Sequence, residues 1–453
     1  MGPRARVRLE GPVKSTLNVQ LSLWRSKKAI AEFAALMLSS ESISFLVPFP
    51  FIRAMRTPFA EIPLAPRDPI LGLTEAFQAD ARPTKVNLGV GVYTDESGKL
   101  PLLAAVREAE RIRVEQMPAR GYLPIDGLAA YDRAVQSLLF GVDSALISEG
   151  RVCTAQALGG TGALRIGADL LKRFVPGAAV WISNPSWENH RALFEAAGFT
   201  VNQYPYHDDA TDGVDFDAMK ACLGALPARS IVVLHACCHN PTGSDLTATQ
   251  WAEVVALCKG ADLVPFLDIA YQGFADGIEE DGLAVRLFAE SGLDFLVASS
   301  FSKSFSLYGE RVGALSVICA DKDESTRLAS QLKRVIRTNY SSPPTHGSAI
   351  VAAILTTPAL RQQWEAELGQ MRNRIRSMRE QFVAKLAAHA PEHDFSFIAA
   401  QRGMFSYSGL TSAQVDRLRD EFGIYALATG RICVAALNDR NIDYVVDAVA
   451  KVL

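Results

Sequence analysis

Short, wholly apolar runs rich in Val, Ile and Leu recur through the middle of the chain. They lie at Ala179 to Ile182, Ile231 to Leu234, Leu263 to Leu267, Phe295 to Ala298 and Gly313 to Ile318. Between them stand amphipathic segments of helical period, among them Arg191 to Ala197, Thr249 to Cys258 and Gly282 to Glu290. Strands without a polar side are covered on both faces, and strands separated by helices pair in parallel. The pattern predicts an α/β domain with a mostly parallel sheet covered by helices on both faces. Past Pro344 the period becomes helical, with a long charged segment from Pro358 to about Ala388. Short strands near Phe395 to Ile398 and Ile432 to Ala435 follow, with closing helices from Ser412 and Ile442. That is a smaller α+β domain, completed by residues before position 100, where Asn87-Leu-Gly-Val-Gly-Val-Tyr93 alternates like a strand.

A chain of 453 residues exceeds what one hydrophobic core sustains, about 250 to 300 residues, so two domains are expected. The division predicted is an extension over 1–54, an N-terminal arm and part of the small domain over 55–100, a large domain over 101–357 and a small C-terminal domain over 358–453. The extension sets Arg4, Arg6, Arg8, Lys14, Arg25, Lys27 and Lys28 ahead of an apolar run from Ala29 to Ile52 that Glu32 and Glu41 interrupt. It fits neither a spanning helix of about 20 apolar residues nor a secretory signal, and it is expected to be poorly ordered or missing from the mature protein. Pro58, Pro63, Pro66 and Pro69 make the arm extended, suited to lying on a neighbour. A net charge of −3 offers no basic field for nucleic acid or an acidic membrane, which leaves small molecules as the expected partners. Seven scattered cysteines without C-x-x-C spacing point to reduced thiols in the cytoplasm.

Candidate chemistry gathers at strand ends. In Ser299-Ser-Phe-Ser-Lys303-Ser-Phe-Ser-Leu-Tyr-Gly-Glu-Arg311 an amine able to form a Schiff base is surrounded by hydroxyls, with a guanidinium eight positions on. That set suits a phosphorylated aldehyde, although a lone Lys in a Ser-rich turn is ordinarily just solvated. Leu158-Gly-Gly160-Thr161-Gly precedes a helical pattern and can present N–H groups to an anion, but lacks the Gly-Lys-Ser/Thr of a Walker loop. Trp187, in Ser186-Trp-Glu-Asn-His190, can lie flat on a heteroaromatic ring or pack in the core. Asp268 ends a buried strand and needs a cationic partner such as a protonated pyridine nitrogen, or else caps the following helix. His235, Cys237 and His239 share a strand face, yet no second ligand pair accompanies them, and no metal is expected; Asn240, before Pro241, is the more telling polar group. Arg337 and Arg431 are candidate carboxylate clamps. The G-x-G of Gly89 and Gly91 lacks the third glycine and immediate helix of a dinucleotide site.

Taken in order, Asn87-Leu-Gly-Val-Gly91, Tyr122-Leu-Pro-Ile-Asp-Gly127, Gly-Gly-Thr161, Pro-Ser-Trp187, Cys-Cys-His-Asn240-Pro-Thr-Gly, Asp268-Ile-Ala-Tyr271, Ser300-Phe-Ser302-Lys303, Arg311 and Gly-Arg431 resemble the class I aminotransferases of the aspartate aminotransferase fold type. Ser-Phe-Ser-Lys303, Pro-Ser-Trp187-Glu-Asn-His and Arg-Gly-Met404-Phe-Ser-Tyr look most like the bacterial aromatic (tyrosine) aminotransferases, with aspartate enzymes next. The resemblance implies pyridoxal 5'-phosphate as cofactor, fold type I, and a homodimer with shared sites. It implies Lys303 as Schiff-base amine and proton carrier, Asp268 on the pyridine nitrogen, Asn240 and Tyr271 on the ring oxygen, and Trp187 stacked on the ring. Gly160, Thr161, Ser300, Ser302 and Arg311, with Tyr122 from the neighbour, would hold the phosphate. Arg431 would take the substrate α-carboxylate, with Gly91, Trp187 and Asn240 beside it, and the neighbour's Arg337 a distal carboxylate. The implied activity is ping-pong transfer of an amino group between tyrosine or phenylalanine, with aspartate a further donor, and 2-oxoglutarate; a strict aspartate enzyme is the alternative, and a noncatalytic binding protein of this fold a third.

Overall fold

The computed structural model describes residues 57–65, 68 and 70–453. The readings of residues 1–54, Pro66 and Pro69 lie outside the described residues. Residues 57–65 belong to a unit of their own that ends at Pro66. They turn at 58–61, closed by the Ala60 N–H on the Thr57 carbonyl at 3.0 Å and the Ile62 N–H on the Phe59 carbonyl at 3.2 Å. From Arg67 to Leu453 the chain forms one compact unit.

Its centre is a seven-stranded sheet. The strands are β1 (Val152–Leu158), β2 (Val180–Asn184), β3 (Val201–Pro205), β4 (Ile231–His235), β5 (Val264–Ile269), β6 (Phe295–Ser300) and β7 (Val312–Ile318). They lie in the order β1-β7-β6-β5-β4-β2-β3. All neighbours from β6 to β3 pair in parallel, and β7 is antiparallel to both β1 and β6. Successive residues of one strand feed different cores: Val232, Leu234, Leu267 and Val297 enter one, Ile231, Val233, Phe266 and Leu296 the other. Both sides of the pleat are therefore apolar, which is why these strands read as unbroken hydrophobic runs.

Helices close both faces, among them α1 (Gly159–Phe174), α2 (Lys322–Asn339) and α3 (Pro358–His389). Their starts follow local chemistry. Asp321 caps α2 by accepting from the Glu324 N–H, Pro358 opens α3, and Thr247 and Gln250 form a capping box before Ala248–Gly260. A smaller layer pairs Val86–Asn87 in parallel with Ile424–Tyr425 and Phe405–Tyr407 antiparallel with Arg431–Cys433.

Three sequence expectations change. The strand expected over Asn87–Tyr93 stops at Asn87, because the chain there threads past side chains: a Cβ on Gly91 would lie 2.5 Å from Phe405 Cζ. Phe395–Ile398 is not a strand. The Asp394 carboxylate accepts from the Ser396 N–H at 2.8 Å and starts a helical turn, Phe397–Ala400, and the strand falls at Phe405–Tyr407. β1 and β3 had no apolar signature; β1 buries Thr154 and Gln156 by bonding them to Ser316 Oγ (2.8 Å) and the Pro344 carbonyl (2.7 Å). No helix among the described residues is long and apolar enough to cross a membrane, and all seven cysteines are free thiols.

Candidate active site

β4, β5 and β6 lie side by side in register, with His235 opposite Asp268 and Ile269 opposite Ser299. Each delivers polar groups at its C-terminal end, where a parallel sheet collects ligands. β4 leads to Asn240, β5 carries Asp268 and leads to Tyr271, and β6 ends at Ser300 just before Ser302 and Lys303. β7 runs back, so Arg311 returns to the same edge. A cavity of about 270 Å³ opens there. It brings together Gly91, Gly160, Thr161, Trp187, Asn240, Asp268, Tyr271, Ser300, Ser302, Lys303, Arg311 and Arg431. Tyr122 and Arg337, expected from a neighbouring subunit, lie outside it. Tyr122 is 98% exposed, and Arg337, on α2, donates to Ser341 Oγ.

One end of the cavity is built for an oxyanion. α1 begins at Gly159, so the unbonded N–H groups of its first turn face Ser300, Ser302 and Arg311. Arg311 has left-handed backbone (φ 54°) and donates to the Tyr308 carbonyl at 2.9 Å and Ser302 Oγ at 3.4 Å. Only glycine fits opposite it: a Cβ on Gly159 would stand 2.5 Å from Arg311 Nη2.

At the centre, Lys303 Nζ lies 4.6 Å from the centroid of the Tyr271 ring. Burial pushes its ammonium down to about 8, against the pull of Asp268 and with help from Arg311. Burial of Asp268 works to raise its carboxyl. The hydrogen bond and charge of His190, helped by the charge of Lys303, outweigh it and hold the group below the usual carboxylate range. His190 Nε2 sits 2.9 Å from Asp268 Oδ2, and its Nδ1 is 3.0 Å from Ser186 Oγ. The helix-cap alternative for Asp268 is excluded, since the next helix, Ile278–Asp281, starts beyond it at Gly277. Burial and the neighbouring His190 push His235 down to about 3, so its ring is neutral, and its buried Nε2 has no partner among the described residues.

The opposite wall holds Arg431, 1% exposed, donating to Asn240 Oδ1 at 2.9 Å and the Gly89 carbonyl at 2.7 Å. The Phe405 ring covers its guanidinium at 4.2 Å, and its Nε has no partner among the described residues. A buried cation that makes no ion pair among the described residues suits an anionic substrate group.

Of the two histidines that raised a metal reading, His239 is engaged with protein and, among the described residues, His235 is not. His239 spends both ring nitrogens on Ser183 Oγ (2.9 Å) and Thr242 Oγ1 (2.8 Å). His190, His235 and Asp268 lie within ligating reach of one another, but both nitrogens of His190 are likewise bonded. Sequence reasoning missed His190 as the partner of Asp268, Phe405 as the lid on Arg431, and Tyr308, whose hydroxyl accepts from the Tyr93 N–H at 3.0 Å. All three stand inside stretches whose resemblance was noted; none had a local signal of its own.

A family model described as aminotransferase class I and II matches residues 83–449. The chain belongs to this family. Over 395 residues it is 64% identical to an aspartate aminotransferase of Pseudomonas aeruginosa, covering 87% of this chain and 99% of that one. Over 387 residues it is 54% identical to an aromatic-amino-acid aminotransferase of Escherichia coli, covering 85% and 98%. The crystal structure of an aromatic-amino-acid aminotransferase from Burkholderia pseudomallei, covalently bound to pyridoxal phosphate, matches with a TM-score of 0.86 and 68% identity, covering 88% of this chain and all of that one. This aminotransferase thus sits near relatives of both substrate names.

Proposed function

We propose that this aminotransferase uses pyridoxal 5'-phosphate to exchange an amino group between tyrosine or phenylalanine, with aspartate a further donor, and 2-oxoglutarate. The observation that carries the reading is the amine of Lys303, held near neutrality between a buried, ionised Asp268 and the oxyanion cradle of Arg311. The donor set fits the cofactor: the cradle at Gly159 has room for no Cβ, and the cavity offers an anion site at one end and a carboxylate at its centre. Bound there, the cofactor supplies an aldehyde carbon and an electron-withdrawing ring.

The residues divide the work. Gly160, Thr161, Ser300, Ser302 and Arg311 hold the phosphate, and Trp187 covers the ring. Asp268, oriented by His190, keeps the ring nitrogen protonated, while Asn240 and Tyr271 donate to the ring oxygen. Lys303 attaches the cofactor and then, as a free amine, takes and returns the substrate α-proton. Arg431 binds the α-carboxylate beside Gly91. In a homodimer, Tyr122 and Arg337 of one subunit complete the other's site. We assign residues 101–357 to the cofactor-binding domain, 55–100 and 358–453 to the arm and small domain, and the enzyme to the cytoplasm.

Saturation of the purified protein with pyridoxal phosphate tests the core of this reading: the wild type gains a visible absorbance band that Lys303→Ala lacks, and a colourless wild type overturns it. The identity to the Pseudomonas aeruginosa enzyme favours a second reading, strict aspartate specificity. A substrate panel separates the two, since negligible turnover of tyrosine and phenylalanine beside fast aspartate selects the second.

A further inference from the structure

Away from the active cavity, Arg372, Arg376 and Arg379 stand at i, i+4 and i+7 on α3, so they share one helical face. That face meets two loops. Arg372 Nη1 donates to the Gly273 carbonyl at 3.1 Å, and Arg376 Nη2 to the Ala275 carbonyl at 3.1 Å and Asp276 Oδ1 at 3.0 Å. Arg379 Nη2 donates to the carbonyls of Gly403 at 2.6 Å and Phe405 at 3.2 Å, and its Nε to Ser406 Oγ at 3.3 Å. Arg402 joins from the second loop, with its Nε 3.4 Å from Asp276 Oδ2 and its Nη1 on the Ala400 carbonyl at 2.7 Å. These groups line a cavity of about 300 Å³.

The charges there do not balance. Four guanidinium groups face two carboxylates, Asp276 and Glu380, and Asp276 is shared between Arg376 and Arg402. Arg379 is 4% exposed, yet it bonds only neutral acceptors, and its Nη1 has no acceptor among the described residues. Burial pushes its guanidinium down to about 10, and the charges of Arg402 and Arg376 add to that push against Cys238 and Asp245. Buried charges in proteins are normally paired, and a planar fork with a free N–H is suited to a second oxygen pair.

We propose that this cavity is a binding site for a small multivalent oxyanion, a polycarboxylate or a phosphate group, held by Arg379 at its base and by Arg372, Arg376 and Arg402 at its rim. The anion supplies the negative charge the pocket lacks. Its lining includes Gly403, two residues before Phe405, whose ring covers Arg431, so the site adjoins the substrate cavity without sharing a lining residue.

Calorimetric titration of the cofactor-saturated enzyme at constant ionic strength, with citrate in one arm and inorganic phosphate in the other, tests it. Three proteins are compared: wild type, the double variant Arg376→Gln/Arg402→Gln, whose altered residues are half exposed, and Arg431→Leu. Saturable binding of at least one anion is expected in wild type and Arg431→Leu, and at least about tenfold weaker binding in the double variant. The arm that binds more tightly tells carboxylate from phosphate chemistry. The absence of saturable binding in wild type overturns the proposal. So does equal affinity in the double variant, or loss in Arg431→Leu alone, which assigns the anion to the substrate cavity.

Discussion

Two aspartates in this molecule, Asp268 buried and Asp132 half-buried, move in opposite directions. Asp268, at the end of β5, lies below the usual carboxylate range, whereas Asp132, in the helix Ala129–Phe140, is pushed up to about 8. Burial is the largest influence on both, and on both it acts to raise the pKa. The difference lies in what each meets. Asp268 has His190 at 2.9 Å and the charge of Lys303. Asp132 has the Asp126 charge adding to its burial, and Arg133 and Lys333 only at a distance. Its Oδ1, like the adjacent Tyr131 hydroxyl, has no hydrogen-bond partner among the described residues. Desolvation alone thus makes a neutral acid, and a partner makes a permanent anion. An anion is what a protonated ring nitrogen requires.

The strongest way to break the comparison is to neutralise the partnered member. Asp268→Asn is expected to lower kcat/KM for the amino donor by on the order of 10²- to 10³-fold while leaving the fold intact by circular dichroism; near-wild-type turnover would remove Asp268 from its assigned role. Removing the partner instead sharpens it. His190→Ala leaves Asp268 with burial still raising its pKa, and should cost about tenfold to a hundredfold. Because activity needs the carboxylate ionised, the acid limb of the pH–rate profile should move to higher pH in this variant; an unmoved limb would mean His190 does not set the charge of Asp268. The unpartnered member answers in stability. With a folded pKa raised from 3.8 to about 8, Asp132 contributes stability that is fully present below pH 4 and lost as pH rises to about 8. Asp132→Asn should therefore stabilise the protein by about 1 to 3 kcal/mol at pH 9 and have little effect at pH 4, read from urea unfolding at both values. The smallest effect belongs to Tyr131→Phe, which removes a buried hydroxyl with no partner and should change stability by less than about 1 kcal/mol in either direction.

What could be read from the chain alone follows the same division between local and distant causes. β4, β5 and β6 were legible because Val, Ile, Leu and Phe fill both sides of the pleat, and Lys303, Arg311 and the Gly-Gly-Thr161 turn because their chemistry lies within single short stretches. β1 was not, since Thr154 and Gln156 are buried against polar partners elsewhere in the chain, among them Ser316 and Pro344, more than 160 residues away. His190 was invisible as a partner for the same reason: its bond to Asp268 spans 78 residues. The misplaced strand near Phe395 shows the converse limit. Its apolar pattern equals that of Phe405–Tyr407, and only the pairing with Arg431–Cys433 distinguishes them.

The reversal of β7 bears on the order in which the site assembles. Arg311 reaches Ser302 by closing a loop of nine residues, whereas Arg431 reaches Asn240 across 191. By loop-closure entropy alone the second contact costs about 3 kcal/mol more to form in an otherwise unfolded chain. The contact of Arg311 with Ser302 is thus nearly local along the chain, and the substrate clamp of Arg431 on Asn240 joins the C-terminal layer to the sheet.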